Sequence, residues 1–541
     1  MRLPLALAAL LLAADVAAAQ PEAVAPGVTV NRARRGIEGG TNLAADRSTG
    51  SLVALTFSGD VLRHTPPFRD RPTTIATLAD LAPMTRAYGL DVADDGRVFV
   101  VGSAATETAN VGVLKRGTPA AGGLAWETVF VTEPYPLART AFDHNMSAVA
   151  VSPDGAWVAV NSGSRTDHGE VQDGGGIYPG VREVPITSAV LRVPADATGL
   201  TIPTDADGLA PYLWADGIRN SFALAFDGTG ELFGAENSGD RDDGEELNWI
   251  REGAHYGFPW RMGANRTPMQ DPGYDPDQDP LVQPGSFAYQ SGFFYDDPDY
   301  PAPPDGVTFT DPILNLGPDA DLLRDPDGTI VDASDAGRAA STFTPHRSPV
   351  DLEFDQDAAL PDGFRGDAFM VSWTDGEPAS GSLLAAFGDE GEDLVHLRLS
   401  DDRATVETTQ LVRGFENPIG LALLGQTLHV LPFTGGGLWL VTLPGSVSAE
   451  AAPAAPAVGL ALAPNPARGA ATAQVTLAES SAVRARVVDA LGRAVAELHD
   501  GPLAAGTTAL AVELRGLAPG VYRVVVESEA GVAARPLSVV R

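Results

Sequence analysis

The sequence predicts an all-β protein, a six-bladed β-propeller followed by a small C-terminal β-sandwich, on three observations. A short apolar strand, a turn rich in Asp and Gly and a second strand recur six times between residue 20 and about residue 443. An Ala/Pro-rich stretch, 446–458, then interrupts the chain as a semi-rigid linker does. Beyond it the charge balance changes: the formal net charge is −35 overall, yet residues 457–541 hold seven acids and eight arginines. The excess of acid belongs to the first part, and the tail reads as a separate domain.

Taken in order, residues 1–19 open with Arg2, continue as an Ala/Leu-rich apolar run and end Ala17-Ala18-Ala19, which reads as a signal peptide with a small-residue cleavage site. Asp15 breaks the run, and no later stretch reaches the roughly 18 apolar residues of a spanning helix, so no membrane span is expected. The hairpins fall at 42–55, 89–101, 148–160, 223–233, 350–371 and 420–430. Each unit averages about 70 residues, longer than the roughly 40 to 50 of compact propeller repeats, so the surplus belongs in connecting loops. Radial repetition of such hairpins protects strand edges and gathers loops around a central channel; an array of β-sandwiches is the alternative.

Residues 271–337 depart from the repeat. They are dominated by Asp and Pro and predict a long surface insertion with many turns. Asp319, Asp321, Asp325 and Asp327 supply hard oxygen ligands without the spacing of an EF-hand, so a solvated acidic loop stands beside a calcium site as a reading. In the tail, strands are expected at 473–477, 482–488, 508–514, 521–527 and 534–539.

Composition excludes several functions. Cysteine is absent, which removes disulfides, thiolate metal sites and a Cys nucleophile. Lys115 is the sole lysine, which makes a Schiff-base mechanism improbable. The acidic surface repels nucleic acid and anionic membranes. The sequence contains no dinucleotide-binding glycine fingerprint in a βαβ setting, no P-loop, no His-Glu-x-x-His and no Gly-x-Ser-x-Gly.

The most informative stretch is 214–263. Gly217-Ile218-Arg219-Asn220 precedes a hairpin; six acids lie between Glu236 and Glu246; Glu246-Leu247-Asn248 and Gly253-x-x-Tyr256-Gly257-Phe258-Pro259 follow. This order resembles the glucose/sorbosone dehydrogenase family, six-bladed propellers that oxidise sugars with pyrroloquinoline quinone (PQQ) and calcium and pass the electrons to an external acceptor. The resemblance implies His144, before the third hairpin, as general base, with Asp143 beside it as a further catalytic candidate. It implies Arg219 at the cofactor and substrate oxygen, with Asn220, Trp373 and Arg413 as further cofactor contacts. Calcium would be held by the carbonyls of Ser238 and Gly239, with Glu236, Asp242 and Asp243 in its shell and Asp240, Glu245 and Glu246 nearby. The residue-level alternatives are an ordinary loop histidine and an Arg219 salt bridge to the acidic loop.

Two departures from the family pattern stand out. The segment Asn161-Ser-Gly-Ser-Arg-Thr-Asp167 lacks the usual aspartate that orients the base, a role Asp167 is a candidate to take. The basic residues that clamp the quinone's carboxylates on the last two blades have no counterpart after Phe369-Met-Val-Ser-Trp373 or around Asn417-Pro-Ile-Gly420, leaving Arg347 or Arg413 as substitutes.

In the tail, Pro464-Asn-Pro, Val488-Asp-Ala-Leu-Gly-Arg, Leu503-Ala-Ala-Gly and Leu517-Ala-Pro-Gly-Val-Tyr resemble the type A sorting domain of the type IX secretion system. That implies export through the periplasm and outer membrane, with the export machinery as partner. Two functions remain: a secreted sugar dehydrogenase acting on an aldose, and a non-catalytic surface propeller that binds glycan, calcium or a protein. Boundaries follow as 1–19 leader, 20–445 propeller, 446–458 linker and 459–541 sorting domain.

Overall fold

All six hairpins read from the sequence form, each as an antiparallel pair. The computed structural model describes residues 20–434, 437–446, 458–477, 480–488, 493–518, 520–528 and 531–540; the leader and most of the linker lie outside the described residues. The chain is nearly all β and divides into two compact units, 1–449 and 450–541. Among the described residues no helix is long and apolar enough to cross a membrane.

In the first unit every hairpin grows into a sheet. Gly40–Asp46 is followed by Ser51–Thr56, Val61–His64 and Thr73–Ala76; Arg86–Val92 begins a second sheet, Val149–Val151 a third and Ser221–Phe226 a fourth. Pro349–Phe354 and Pro418–Leu424 begin the last two. The sixth sheet takes its outer strand from the other end of the unit: Thr29–Arg32 pairs with Trp439–Thr442. Glu22–Ala23 likewise adds to the edge of the fifth.

Neighbouring sheets are glued by apolar layers. Val53, Leu90 and Val100 fill the space between the first and second sheets, Phe130, Val149 and Val193 that between the second and third, and Ala215, Leu224 and Ile250 that between the third and fourth. Phe233, Leu352 and Phe354 follow between the fourth and fifth, and Leu52, Phe369, Leu421 and Val430 join the fifth, sixth and first. Each fully buried Val, Leu or Phe contributes about 1.5–3 kcal/mol relative to exposure. The innermost strands also touch in sequence, the strand at Gly40–Asp46 against Arg86–Val92 and so on round to Pro418–Leu424, which lies against Gly40–Asp46 again.

A register shift recurs at the start of five of these inner strands, at Gly40/Asn42, Ala87/Gly89, Ser221/Ala223, Pro349/Asp351 and Pro418/Gly420. Such a bulge bends the strand and re-aims the side chains at its mouth. Two of the shifts end on a glycine for a steric reason: a methyl group on Gly89 would lie 2.3 Å from the Ser147 carbonyl oxygen, and one on Gly420 would lie 2.9 Å from Leu43.

Where the inner strands meet, a polar cavity of about 70 Å³ is lined by Arg47, Asp91, Asp351 and Glu353 among others. Asp91 accepts from Val151 N (2.7 Å) and Asp351 from Leu421 N (2.6 Å). Arg47 reaches Glu353 (3.4 Å), Asp94 (3.7 Å) and Asp357 (3.9 Å). Burial pushes Asp91 up to about 6 and Glu353 up to about 7, because one guanidinium does not neutralise the group.

The 271–337 insertion is less solvated than its composition suggests. Leu314–Pro318 runs parallel to Thr405–Arg413, and Phe294 is buried with Phe142, Val282 and Ala288. Its acids do not converge: Asp319 accepts from Gln410 N (2.8 Å), Asp321 from Ser334 N (2.8 Å) and Asp327 from Thr329 N (3.0 Å), while Asp325 pairs with Arg338 (2.8 Å). Among the described residues no group of three or more His, Asp or Glu is placed to hold a metal.

The second unit has two sheets around one apolar core that includes Val475, Val487, Val512, Val524 and Leu537. Two strands were not read from the sequence. Val458–Ala463 blends into the linker's small residues, and Ala494–Leu503 lacks clean alternation.

Candidate functional site

The site is built from loops at the ends of the third, fourth and fifth hairpins. His144 immediately precedes the inner strand of the third sheet, and the loop after Trp157–Ser162 folds back beneath it. The His144 backbone N–H donates to the Ser164 carbonyl (2.8 Å). Its Nδ1 lies 3.1 Å from Ser164 Oγ and 3.2 Å from the Ser164 carbonyl oxygen. Nε2 has no hydrogen bond to the described residues. Burial, assisted by the Arg219 charge, pushes the imidazole down to about 3, so it is neutral at physiological pH. Gly163 permits this packing, since a methyl group there would lie 2.5 Å from His144 Cβ and 3.3 Å from Asn220 Oδ1.

Asp167 organises the neighbouring charge. It is buried and accepts from Arg219 Nη2 (2.9 Å), His168 Nδ1 (2.8 Å) and Asp240 N (3.1 Å). Burial alone would raise its pKa; the His168 hydrogen bond and the Arg219 charge win and hold it at about 2. His168 is pulled the other way by burial, but Glu170 and Asp167 raise it. Its ring stacks on Phe294 of the insertion at 4.3 Å, and its Nε2 meets the Phe293 carbonyl at 3.1 Å. Asp240 reaches the insertion too, accepting from Ala288 N (2.6 Å) in the short helix Phe287–Gln290.

The expected residues are brought together only in part. His144, Arg219, Asn220 and Ser238 lie in one neighbourhood. Asp143 turns away, its carboxylate accepting from Ala138 N (2.6 Å) and Arg139 N (2.5 Å). Asp167 is not hydrogen-bonded to His144 and orients Arg219 instead; Ser164 takes the role of holding the imidazole. Arg219 donates Nε to the Asp167 carbonyl (2.8 Å) and Nη1 to the carbonyls of Ser238 (2.7 Å) and Asn237 (3.1 Å).

The donor set does not fit calcium. The Ser238 carbonyl faces a guanidinium, and a methyl group on Gly239 would stand 2.8 Å from Asp167 Oδ1. Glu236 accepts from Arg219 N and Asn248 Nδ2, and burial beside Glu246 raises its pKa well above the usual range. Burial likewise pushes Glu245 to about 8 and Glu246 to about 7. Asp242 is held by Arg324 (2.6 Å), His346 (2.7 Å) and Gln283 (2.7 Å), and Asp243 by Arg241 (2.5 Å) and Asn265 (2.8 Å). A divalent cation would displace one cation and several satisfied bonds.

Nor do the basic residues fit an anionic quinone. Arg413 lies on an outer strand and pairs with Glu22 (2.8 Å) and Glu390 (2.6 Å). Arg347 is buried between Asp389 and Asp393. Trp373 does reach the rim, where its ring meets Phe433 at 5.3 Å and its carbonyl accepts from Asn417 Nδ2 (3.2 Å), with no basic side chain bonded to it. Two buried polar atoms near His144 and Arg219, Asn220 Oδ1 and Ser238 Oγ, have no partner among the described residues. A ligand bearing hydroxyls satisfies such atoms.

Residues 87–291 match the family described as Glucose / Sorbosone dehydrogenase, and residues 461–539 match the Secretion system C-terminal sorting domain. The first match lies wholly within the first unit and the second within the second unit. The first matched span contains His144, Asp167, Arg219 and Ser238. The sorting tail marks export by type IX secretion to the cell surface or outside.

No curated protein matches the chain. Similar solved structures include the PQQ-bound aldose sugar dehydrogenase of Streptomyces coelicolor (16% identity, 77% of this chain and 97% of that one, TM-score 0.45). The apo-form soluble aldose sugar dehydrogenase of Escherichia coli is similar too (14% identity, 77% and 99%, TM-score 0.47). So is the PQQ domain of the Coprinopsis cinerea pyranose dehydrogenase in its holo form (15% identity, 79% and 99%, TM-score 0.46).

Proposed function

We propose that this chain is an exported, sugar-dehydrogenase-like protein in which residues 20–445 form a six-bladed β-propeller that binds a sugar at the loop end of its inner strands. The six sheets and the succession of touching inner strands support the propeller. Residues 1–19 act as the leader and 459–541 as the sorting domain. One observation carries binding ahead of oxidation: Arg219 is bonded to the Ser238 carbonyl, the atom on which a calcium–quinone pair would have to build. The unpartnered Asn220 Oδ1 and Ser238 Oγ are the hydrogen-bonding atoms this reading gives to the sugar.

A second reading, oxidation of the bound aldose with electrons passed to an external acceptor, is favoured by His144. Its Nδ1 is fixed by Ser164, and its Nε2, with no hydrogen bond to the described residues, is the nitrogen left to take a hydroxyl proton.

One experiment separates the two. The exported chain is titrated calorimetrically with a panel of aldoses, then tested for dye reduction with PQQ and calcium present and absent. Binding of a sugar that Asn220→Ala abolishes, without dye reduction, supports the binding protein. Sugar-dependent reduction that vanishes in His144→Ala establishes the dehydrogenase.

A further inference from the structure

We propose that the rim arc formed by Phe57, Phe433 and Trp373 with Asn417 and Glu392 is a second subsite, which docks a neutral sugar ring, so that the ligand is an oligosaccharide laid across the rim. This rests on the sugar-binding reading above and extends it from one ring to a chain.

The arc is apolar where a soluble surface has reason not to be. Phe57 is 82% exposed on the loop after Ser51–Thr56. Its ring meets Phe433 edge-on at 6.5 Å, and Phe433 meets Trp373 at 5.3 Å, so three rings from the first, sixth and fifth sheets make one continuous strip. Phe433 and Trp373 are half-buried against the core below, and hydrogen bonds fix their backbones as well. Phe433 N donates to the Asn417 carbonyl (2.9 Å), Asn417 Nδ2 to the Trp373 carbonyl (3.2 Å) and Asn417 N to Glu392 Oε1 (2.7 Å). Rigid aromatic rings present large apolar faces at low entropic cost on binding.

The polar groups at its margin are acceptors. Asn417 Oδ1 and Glu392 Oε2 take no hydrogen bond from the described residues. Glu392 stands among Asp375 and Glu416, and burial with that company pushes it up to about 7. Arg347 and Arg413, which could have supplied positive charge, are bonded to other carboxylates. An anion is repelled here, whereas hydroxyl groups with an apolar C–H face are matched.

The arc is also joined to the first site. Trp373 N donates to the Ser348 carbonyl (2.9 Å), Ser348 Oγ to Asn237 Oδ1 (2.7 Å) and Asn237 N to the Asn220 carbonyl (3.0 Å). One belt of hydrogen bonds therefore carries both the aromatic strip and the unpartnered Asn220 amide, which is the arrangement a chain of sugars requires.

Calorimetric titration of the exported chain with glucose, cellohexaose, maltohexaose and mannohexaose tests this, with choline and a glucosamine hexamer as cationic probes. At least one neutral hexasaccharide should bind about tenfold or more tightly than a monosaccharide. Phe57→Ala and Phe433→Ala should bring it to the monosaccharide level, leaving monosaccharide affinity unchanged. Phe57 is exposed, so its variant keeps the fold, and a thermal melt checks both. Equal affinity for one ring and six, hexasaccharide binding indifferent to both variants, or preference for the cationic probes overturns the subsite while leaving sugar binding at Asn220 standing. Failure of every sugar overturns both.

Discussion

Two regions of the first unit hold carboxylates whose affinities for a proton are shifted in opposite directions. In the central cavity Asp91 and Glu353 share Arg47 with other acids and are pushed up to about 6 and about 7. At the loop site Asp167 is at least as buried, yet Arg219 and His168 hold it at about 2. Burial is common to both. What differs is the number of cationic donors in contact with each carboxylate, and in a protein with 71 acids and 36 basic residues those donors are the scarce component. Where they are gathered, the charge is ionised and fixed; where they are lacking, protonation begins close to neutral pH.

The comparison can be broken most sharply at Arg219. Arg219→Ala leaves Asp167 buried with His168 alone and should cost about 3–5 kcal/mol, the usual consequence of orphaning a buried ion, read from denaturant unfolding of the exported chain. Arg219→Lys cannot reproduce the fork to Asp167 and the Ser238 carbonyl and should fall between. Because the two groups act as a unit, adding Asp167→Asn to Arg219→Ala should recover part of the loss rather than add to it.

A pH series tests the contrast next. Asp91 and Glu353 have folded pKa values above the unfolded carboxylate range of about 4. Their contribution is therefore complete below about pH 4 and is lost as pH rises through about 6 to 7. Asp167 has a lowered value, so its contribution is present above about pH 4 and is lost as pH falls toward 2. The melting temperature should decline between pH 4 and 7, and Glu353→Gln should flatten that decline while leaving the acid limb in place. A decline unchanged in the variant removes Glu353 as its cause.

Calcium should have a smaller effect. A ligand present at a hundred times its dissociation constant stabilises by about 2.7 kcal/mol. With the Ser238 carbonyl engaged, neither millimolar calcium nor EGTA should move the melting temperature by a comparable amount. The smallest effect belongs to Phe57→Ala, which should change stability by no more than about 0.5 kcal/mol, as is usual for an exposed side chain.

The hairpins were legible in the sequence because their signal is local: alternating apolar residues with Asp and Gly in the turn define a strand pair within a dozen positions. His144 and Arg219 were singled out through the family resemblance, and the structure places both in one neighbourhood at the loop ends of the third and fourth sheets. Asp167 was the sequence's candidate for orienting His144, and Ser164, three residues earlier on the same loop, holds the imidazole instead; spacing along a loop does not fix which oxygen points at the ring. The stacking of Phe294 on His168 and the bonding of Arg413 to Glu22 join residues far apart in the chain. No periodicity encodes such pairs, because they depend on how the sheets pack.

The outermost strands carry a further consequence. The fifth and sixth sheets borrow Glu22–Ala23 and Thr29–Arg32 from the beginning of the unit and seat them against its end. The first unit is thus fastened by its own two extremities, and its last fastening waits until Trp439–Thr442 has been synthesised. Until then the polypeptide stays unlatched, a state compatible with being threaded across a membrane; afterwards, loss of residues 22–32 would unfasten two sheets at once.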